Sequence, residues 1–95
     1  MLQEHKENIM SLSEDEMLLI VEEYVNAIGD TLKKSIKEIS TKCYEVTLAL
    51  SNKKTIGFGR NQKDASVNAL KKLLDYLASN DVGSKIMNDA LSGTN

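Results

Sequence analysis

The sequence predicts an α+β fold in which a helix, three strands and a second helix follow one another, α-β-β-β-α. Apolar residues first repeat with the 3.6-residue period of a helix, then alternate with period two, and return to the helical period after residue 61. Each predicted helix carries one apolar stripe, and a sheet needs cover on its apolar face. We therefore expect a two-layer sandwich, with a three-stranded antiparallel sheet and both helices on one of its faces.

The first predicted helix covers residues 14–29. Ser13 precedes three acidic residues, which complement the positive end of a helix dipole. Apolar residues then follow at the i, i+3, i+4 and i+7 spacing of an amphipathic helix, and Gly29 is suited to end it. The stripe comprises Met17, Ile20, Val21, Tyr24, Val25 and Ile28. Residues 1–12, which include His5, show no clear period, and we interpret them as a tail or linker.

Three strands are predicted near residues 32–39, 43–51 and 54–60. The first signal is the weakest, because its apolar residues lie among lysines and a short helix also explains it. The second is the clearest, because its apolar side chains alternate with Glu, Thr and Ala. The third contains Gly57 and Gly59, and glycines inside a strand typically mark a bulge or the close approach of another backbone.

A second helix is predicted over residues 62–78, with Asn61 as its N-cap. Small alanines precede leucines on its apolar side, which suits a helix pressed closely against a sheet at its start. We expect Leu73 and Leu77 to face Tyr24 and Ile28. These elements define one domain over residues 13–79. Residues 80–95 are interpreted as a C-terminal tail in which only a short helix, from Ser84 to Leu91, fits the pattern.

The formal net charge of −2 conceals a strong segregation of charge along the chain. Eight acidic residues against one lysine give residues 1–30 a net charge of −7. Ten cations against three acids give residues 31–72 a net charge of +7, and one lysine against three aspartates gives residues 73–95 a net charge of −2. This segregation favours an anion-binding face in the central segment, while the alternative is that its lysines only solvate a sheet.

Composition excludes several classes of function. One cysteine, Cys43, and one histidine, His5, predict no internal disulfide, no metal site and no Ser/His/Asp or Cys/His catalytic set. We therefore expect a binding domain without a cofactor, not an enzyme; any catalysis would belong to a neighbouring domain. No apolar run is long enough for a membrane span and no signal peptide is evident, so we expect an intracellular location, in the nucleus or cytoplasm.

Two motifs suggest a family. Residues 57–66, Gly-Phe-Gly-Arg-Asn-Gln-Lys-Asp-Ala-Ser, are followed by Ala69, Leu70 and Leu73. This segment resembles the end of the double-stranded RNA-binding domain, where a Gly-x-Gly strand end and a polar cap precede Lys-Lys-x-Ala-Lys. Residues 20–24, Ile-Val-Glu-Glu-Tyr, with Ile28 and Gly29 beyond, are similar to the family's first-helix motif. The resemblance covers residues 14–79, and Gly-Arg-Asn-x-Lys-x-Ala is similar to domains of fungal ribonucleases of the ribonuclease III and Dicer type.

The resemblance implies binding of double-stranded RNA, as an accessory module of a larger RNA-processing protein. The major groove of such RNA is too deep and narrow to be read, so recognition uses shape, phosphates and 2′-hydroxyls over about 16 base pairs. The implied contacts fall in three segments: Glu22, Glu23 and Asn26 on the first helix; Thr41 and Lys42 between the first two strands; and Arg60, Asn61, Gln62, Lys63 and Ser66 at the second helix.

The chain departs from the family pattern in its charged residues. Gln62 and Ser66 replace the first and last lysines, Asp64 adds a carboxylate, and the loop at residues 40–42 lacks the usual Pro and His. Fewer neutralised phosphates predict weaker and less salt-dependent binding than in a fully basic member. The alternative function is a protein interaction module of the same fold, forming a homodimer or binding a protein partner, with weak or no RNA binding.

Overall fold

The computed structural model of the chain describes residues 12–92. Its elements are α1 (Glu14–Ile28), β1 (Lys33–Ser40), β2 (Cys43–Ala49), β3 (Lys54–Gly59), α2 (Gln62–Ala78) and α3 (Asp81–Ser92). The strands form one antiparallel sheet in the order β1-β2-β3. The predicted α-β-β-β-α arrangement is confirmed. His5 and residues 1–11 of the predicted tail lie outside the described residues.

Helix α1 is defined at both ends by local interactions. The Ser13 hydroxyl accepts from the Glu16 N–H, and the Glu16 carboxylate accepts from the Ser13 N–H at 2.9 Å, which completes a capping box. Gly29 ends the helix in the left-handed conformation, with φ 68°. The predicted stripe is buried except for Ile28, which is 41% exposed. The predicted burial of Ile28 is wrong because this residue is the last one of α1, where the chain turns away towards β1.

The sheet packs one face against α2, and glycines allow the close approach. A Cβ atom at Gly57 would overlap the backbone of Ala69 and lie 2.5 Å from the carbonyl oxygen of Ala65. A Cβ atom at Gly59 would likewise overlap the backbone nitrogen of Ala65. The hydroxyl of Thr55 also donates to the carbonyl of Ala69 at 3.1 Å. The inner face of β3 therefore contacts the α2 backbone directly, which is one of the two alternatives that the strand glycines indicated.

The core lies between this inner face and the helices. The fully buried side chains of α2 are Ala65, Ala69, Leu70, Leu73, Leu74 and Leu77, and they share one cluster with Met17 and Val21 of α1 and Val46 and Leu48 of β2. In contrast, all eight residues of β1 are exposed. Strand β1 is therefore an edge strand with little cover, and its lysines protect it from pairing with other chains.

Helix α3 belongs to the same core. Residues 80–95 were expected to form a tail with a short helix, but the helix begins at Asp81 and its Met87 side chain is fully buried. Asn80 precedes it and accepts from the Gly83 N–H at 2.7 Å, while its amide donates to the Tyr24 hydroxyl at 3.1 Å. A helix of this length is marginal alone, so packing against α1 and α2 stabilises it.

Asp30 ties the connection between α1 and β1 to the turn between β2 and β3. Its carboxylate accepts from the Ser51 hydroxyl at 2.5 Å, from the Ser51 N–H at 3.0 Å and from the Thr31 N–H at 2.7 Å. The hydrogen bonds from the Ser51 side chain and backbone, and then the one from Thr31, lower the pKa of Asp30 below its ordinary 3.8.

Acidification is expected to remove the stabilisation that Asp30 contributes. Because its pKa is lower in the folded state, this stability is present above the unfolded value of 3.8 and is lost as the pH falls through the folded pKa. We expect Asp30→Asn to lower the thermal unfolding midpoint at neutral pH and to flatten its fall below pH 3.8. Replacing the exposed Asp75 by Asn is the control. An unchanged acid dependence in Asp30→Asn would contradict the prediction.

Candidate nucleic-acid interface

Strand register brings two of the three predicted contact segments to one end of the sheet. Ser40 pairs with Cys43, and Tyr44 pairs with Gly59, so the turn between β1 and β2 lies beside the junction between β3 and α2. The turn is closed by Lys42 in the left-handed conformation, with φ 60°. We call this surface the basic end; it comprises Thr41, Lys42, Arg60, Asn61, Gln62 and Lys63, all of which are exposed.

The start of α2 gives the basic end a place for an anion. The Asn61 side chain caps α2 by accepting a hydrogen bond from the Asp64 N–H at 2.8 Å, so the Asn61 amide oxygen is already bonded within the helix. The cap leaves the N–H groups of Gln62 and Lys63, the first two residues of α2, without a partner inside the helix. Because the helix dipole is positive at this terminus, these groups and the flanking cations favour a phosphate.

Ser66 does not belong to this surface. Its side chain is 3% exposed, and within residues 12–92 its hydroxyl has no hydrogen-bond partner. It lies next to Ala65 on the side of α2 that faces the core, where an RNA backbone cannot reach it. The structure therefore removes Ser66 from the predicted contact set.

The third predicted segment lies elsewhere, on α1. Glu22, Glu23 and Asn26 are exposed and line a cleft of about 520 Å³. Helix α1 ends near Asp30, which is bonded to Ser51 at the end of the sheet opposite to the basic end. The structure therefore separates the acidic α1 surface from the basic end.

The other cations of the central segment are divided among several surfaces. The register places Lys33, Lys37 and Lys54 on the outer face of the sheet, away from the helices. Lys72 donates to the Ile56 carbonyl at 2.7 Å, and the Lys53 ammonium lies 5.1 Å from the centroid of the Tyr76 ring. The period-two alternation of a strand could have placed Lys33, Lys37 and Lys54 on the outer face of the sheet. No local sequence pattern indicates the contacts that Lys53 and Lys72 make.

Three further properties concern the described part of the chain. None of its helices combines the length and the apolar character that crossing a membrane requires. Between residues 12 and 92, no three side chains of the His, Cys, Asp and Glu types are grouped so that they could hold a metal ion. Cys43 is a free, half-buried thiol.

Comparisons with protein-family models, curated proteins and solved structures found no match to this chain.

Proposed function

We propose that this chain is a double-stranded RNA-binding domain that recognises duplex RNA by shape, as an accessory module of a larger RNA-processing protein of the ribonuclease III or Dicer type. The observation that carries the proposal is the basic end, where the N-terminus of α2 and the cations Lys42, Arg60 and Lys63 lie on one exposed surface. Such a surface suits the phosphates that flank the major groove.

The role of α1 follows from the chemistry of its exposed side chains. The carboxylates of Glu22 and Glu23 accept hydrogen bonds from 2′-hydroxyls, and the Asn26 amide both donates and accepts. DNA lacks the 2′-hydroxyl, so these contacts would favour RNA over DNA. Because the same carboxylates repel phosphates, we expect moderate affinity with most of the electrostatic attraction at the basic end.

A second function, protein docking, is favoured by exposed apolar side chains. Leu19 on α1 is 66% exposed, and Phe58 on the outer face of the sheet is 49% exposed. Leu19 also lines a cleft together with Ile20 and Ala90, and a contiguous apolar surface with polar residues around it often marks an interaction site. Docking at Leu19 would compete with the proposed RNA contacts of α1, which line the same cleft, whereas docking at Phe58 would leave α1 and the basic end free.

Reversing the charge of Lys63 tests the RNA proposal. We expect Lys63→Glu to weaken binding to a duplex of about 16 base pairs and to reduce the slope of log K against log salt by about 1. The fold should be retained, because an acid in the first turn of a helix is favourable. The control is Lys85→Glu, which makes the same change of charge on α3. Equal effects of the two variants would contradict a specific contact at the basic end.

A complementary variant tests the contribution of α1. We expect Glu23→Ala to reduce the preference for duplex RNA over duplex DNA while leaving the salt slope nearly unchanged, because it removes an acceptor for 2′-hydroxyls and not a phosphate contact. Fluorescence anisotropy with duplex RNA, duplex DNA and an RNA–DNA hybrid measures both quantities. If Lys63→Glu leaves RNA affinity intact at low salt while self-association or partner binding changes, the RNA proposal fails and the docking function replaces it.

A further inference from the structure

A cleft beside α1 combines an apolar floor with an acidic rim. We call its apolar lining the floor, which comprises Leu12, Leu19, Ile20 and Ala90, and its polar lining the rim, which comprises Glu16, Glu22, Glu23 and Asn26. Leu19 is the most exposed large apolar side chain among the described residues. The volume of about 520 Å³ falls in the range of roughly 300–1,000 Å³ that is typical of ligand-binding clefts.

Two helices that are far apart in the sequence, α1 and α3, form the walls of the cleft. Leu19 and the rim residues belong to α1, whereas Ala90 belongs to α3. Both helices are anchored in the core, through Val21 in α1 and Met87 in α3, so the walls are held in place by packing. A groove between two anchored helices is a common receptor for the apolar face of a third helix.

The charge of the rim selects the kind of occupant. Glu22 and Glu23 have an uncharged neighbour, Asn26, and no Lys or Arg lines the cleft among the residues that the structure describes. Carboxylates in this arrangement repel nucleic-acid phosphates and anionic lipid surfaces, and they attract cations. The apolar floor requires that the occupant also bury apolar side chains.

A second copy of this chain does not supply such an occupant from its described helices. The apolar stripe of α2 is buried in the core of its own chain, although α2 carries three lysines. Helix α3 has one lysine and two aspartates, and its Met87 is likewise buried. Among the described residues, a second copy therefore offers no exposed helix that is both apolar and basic.

We infer that the cleft between α1 and α3 binds a basic amphipathic helix of a partner protein, with apolar side chains on Leu19 and Ile20 and cations against Glu22 and Glu23. Because the same two carboxylates face RNA in the proposed duplex complex, the partner helix competes with RNA for α1 and leaves the basic end free. Partner binding itself does not depend on RNA binding.

The probe is a fluorescent peptide of roughly 18 residues, about five helical turns, made of Leu and Lys with the leucines on one helical face. We expect saturable binding by anisotropy, with chemical shift changes in two-dimensional NMR spectra confined to residues 16–26 and the region of Ala90. A scrambled Leu/Lys peptide, and a Leu/Glu peptide of the original pattern, should bind at least about tenfold more weakly. Absence of saturable binding up to about 1 mM peptide would overturn the inference.

Variants separate a specific cleft from general attraction between opposite charges. Leu19→Ser, and the double variant Glu22→Gln/Glu23→Gln, should each weaken binding of the Leu/Lys peptide about tenfold or more. The matched control, Glu38→Gln/Asp75→Asn, removes two exposed charges from β1 and α2 and should leave affinity unchanged. An equal loss in the control, or equal binding of the scrambled peptide, would show nonspecific attraction and overturn the inference.

The same measurements distinguish this inference from the proposed RNA function. Lys63→Glu alters the basic end, which is separate from the cleft, so it should bind the Leu/Lys peptide like the unmodified chain. Failure of RNA binding with intact peptide binding would remove the proposed function alone. Failure of peptide binding with intact RNA binding would remove the partner helix alone.

Discussion

Replacing Leu73 by alanine is expected to lower the free energy of unfolding by about 2–5 kcal/mol. Leu73 lies in α2 with no exposed surface, within the cluster shared by α1, α2, α3 and the inner face of the sheet. Truncation removes apolar contacts and leaves a cavity that helices anchored on several sides cannot fill by relaxing. Since domains of this size are stable by about 5–15 kcal/mol, the variant should lose a large part of its stability.

Urea unfolding measured by circular dichroism tests this expectation, with Leu19→Ala as a matched control. The control removes the same atoms from the same residue type on α1, where the side chain is 66% exposed, and should change the free energy by less than about 1 kcal/mol. A loss under about 1 kcal/mol in Leu73→Ala would mean that the leucine does not fill the core and that α2 is rotated relative to its described position.

Replacing Gly57 by alanine should lower the free energy of unfolding by a comparable amount. This substitution adds atoms to a packed contact, whereas Leu73→Ala removes them. The new methyl group would overlap the backbone nitrogen of Ala69 and lie 2.5 Å from the Ala65 carbonyl oxygen. No flexible side chain can move aside, because both neighbours are backbone atoms inside α2. Relief requires α2 to move off β3, so we expect a cost of about 3 kcal/mol, at the upper end for overpacking.

Gly29 provides the control for this substitution. A Cβ atom there has no neighbour within 4 Å, and the constraint is the left-handed backbone with φ 68°. Asparagine tolerates that conformation, so Gly29→Asn should be nearly neutral, whereas Gly57→Asn should be as damaging as Gly57→Ala. Thermal unfolding of the variants measures this difference, and a stable Gly57→Ala variant would show that α2 does not press on β3.

Sequence patterns predict the type and order of α1, β2, β3 and α2, because the signals for these elements act over a few residues, whereas the pattern of β1 also fitted a short helix. Ser13 and Glu16 meet across three residues in the capping box, and Asn61 caps α2 across the same separation. Period two in β2 and period 3.6 in α1 and α2 follow from backbone geometry. The two glycines of β3 also indicated the close packing of α2.

Which side chains share a surface depends on the folded chain, since those contacts join residues far apart in the sequence. The register of three strands places Lys42 beside Arg60 and Lys63, and no local pattern contains that information. Ser66 occupies a position that is a lysine in the family whose motif this segment resembles, yet the direction of α2 over the sheet turns it into the core.

Helix α3 is a second feature that local sequence could not predict in full. Its apolar residues were too few to predict more than a short helix in a tail, because a helix of this length gains its stability from what it packs against. The Tyr24 hydroxyl and the Asn80 amide, 56 positions apart in sequence, meet at its start, and Met87 completes the core. Local sequence determines where an element forms, whereas burial, and with it the available binding surface, depends on the contacts that only the folded chain brings together.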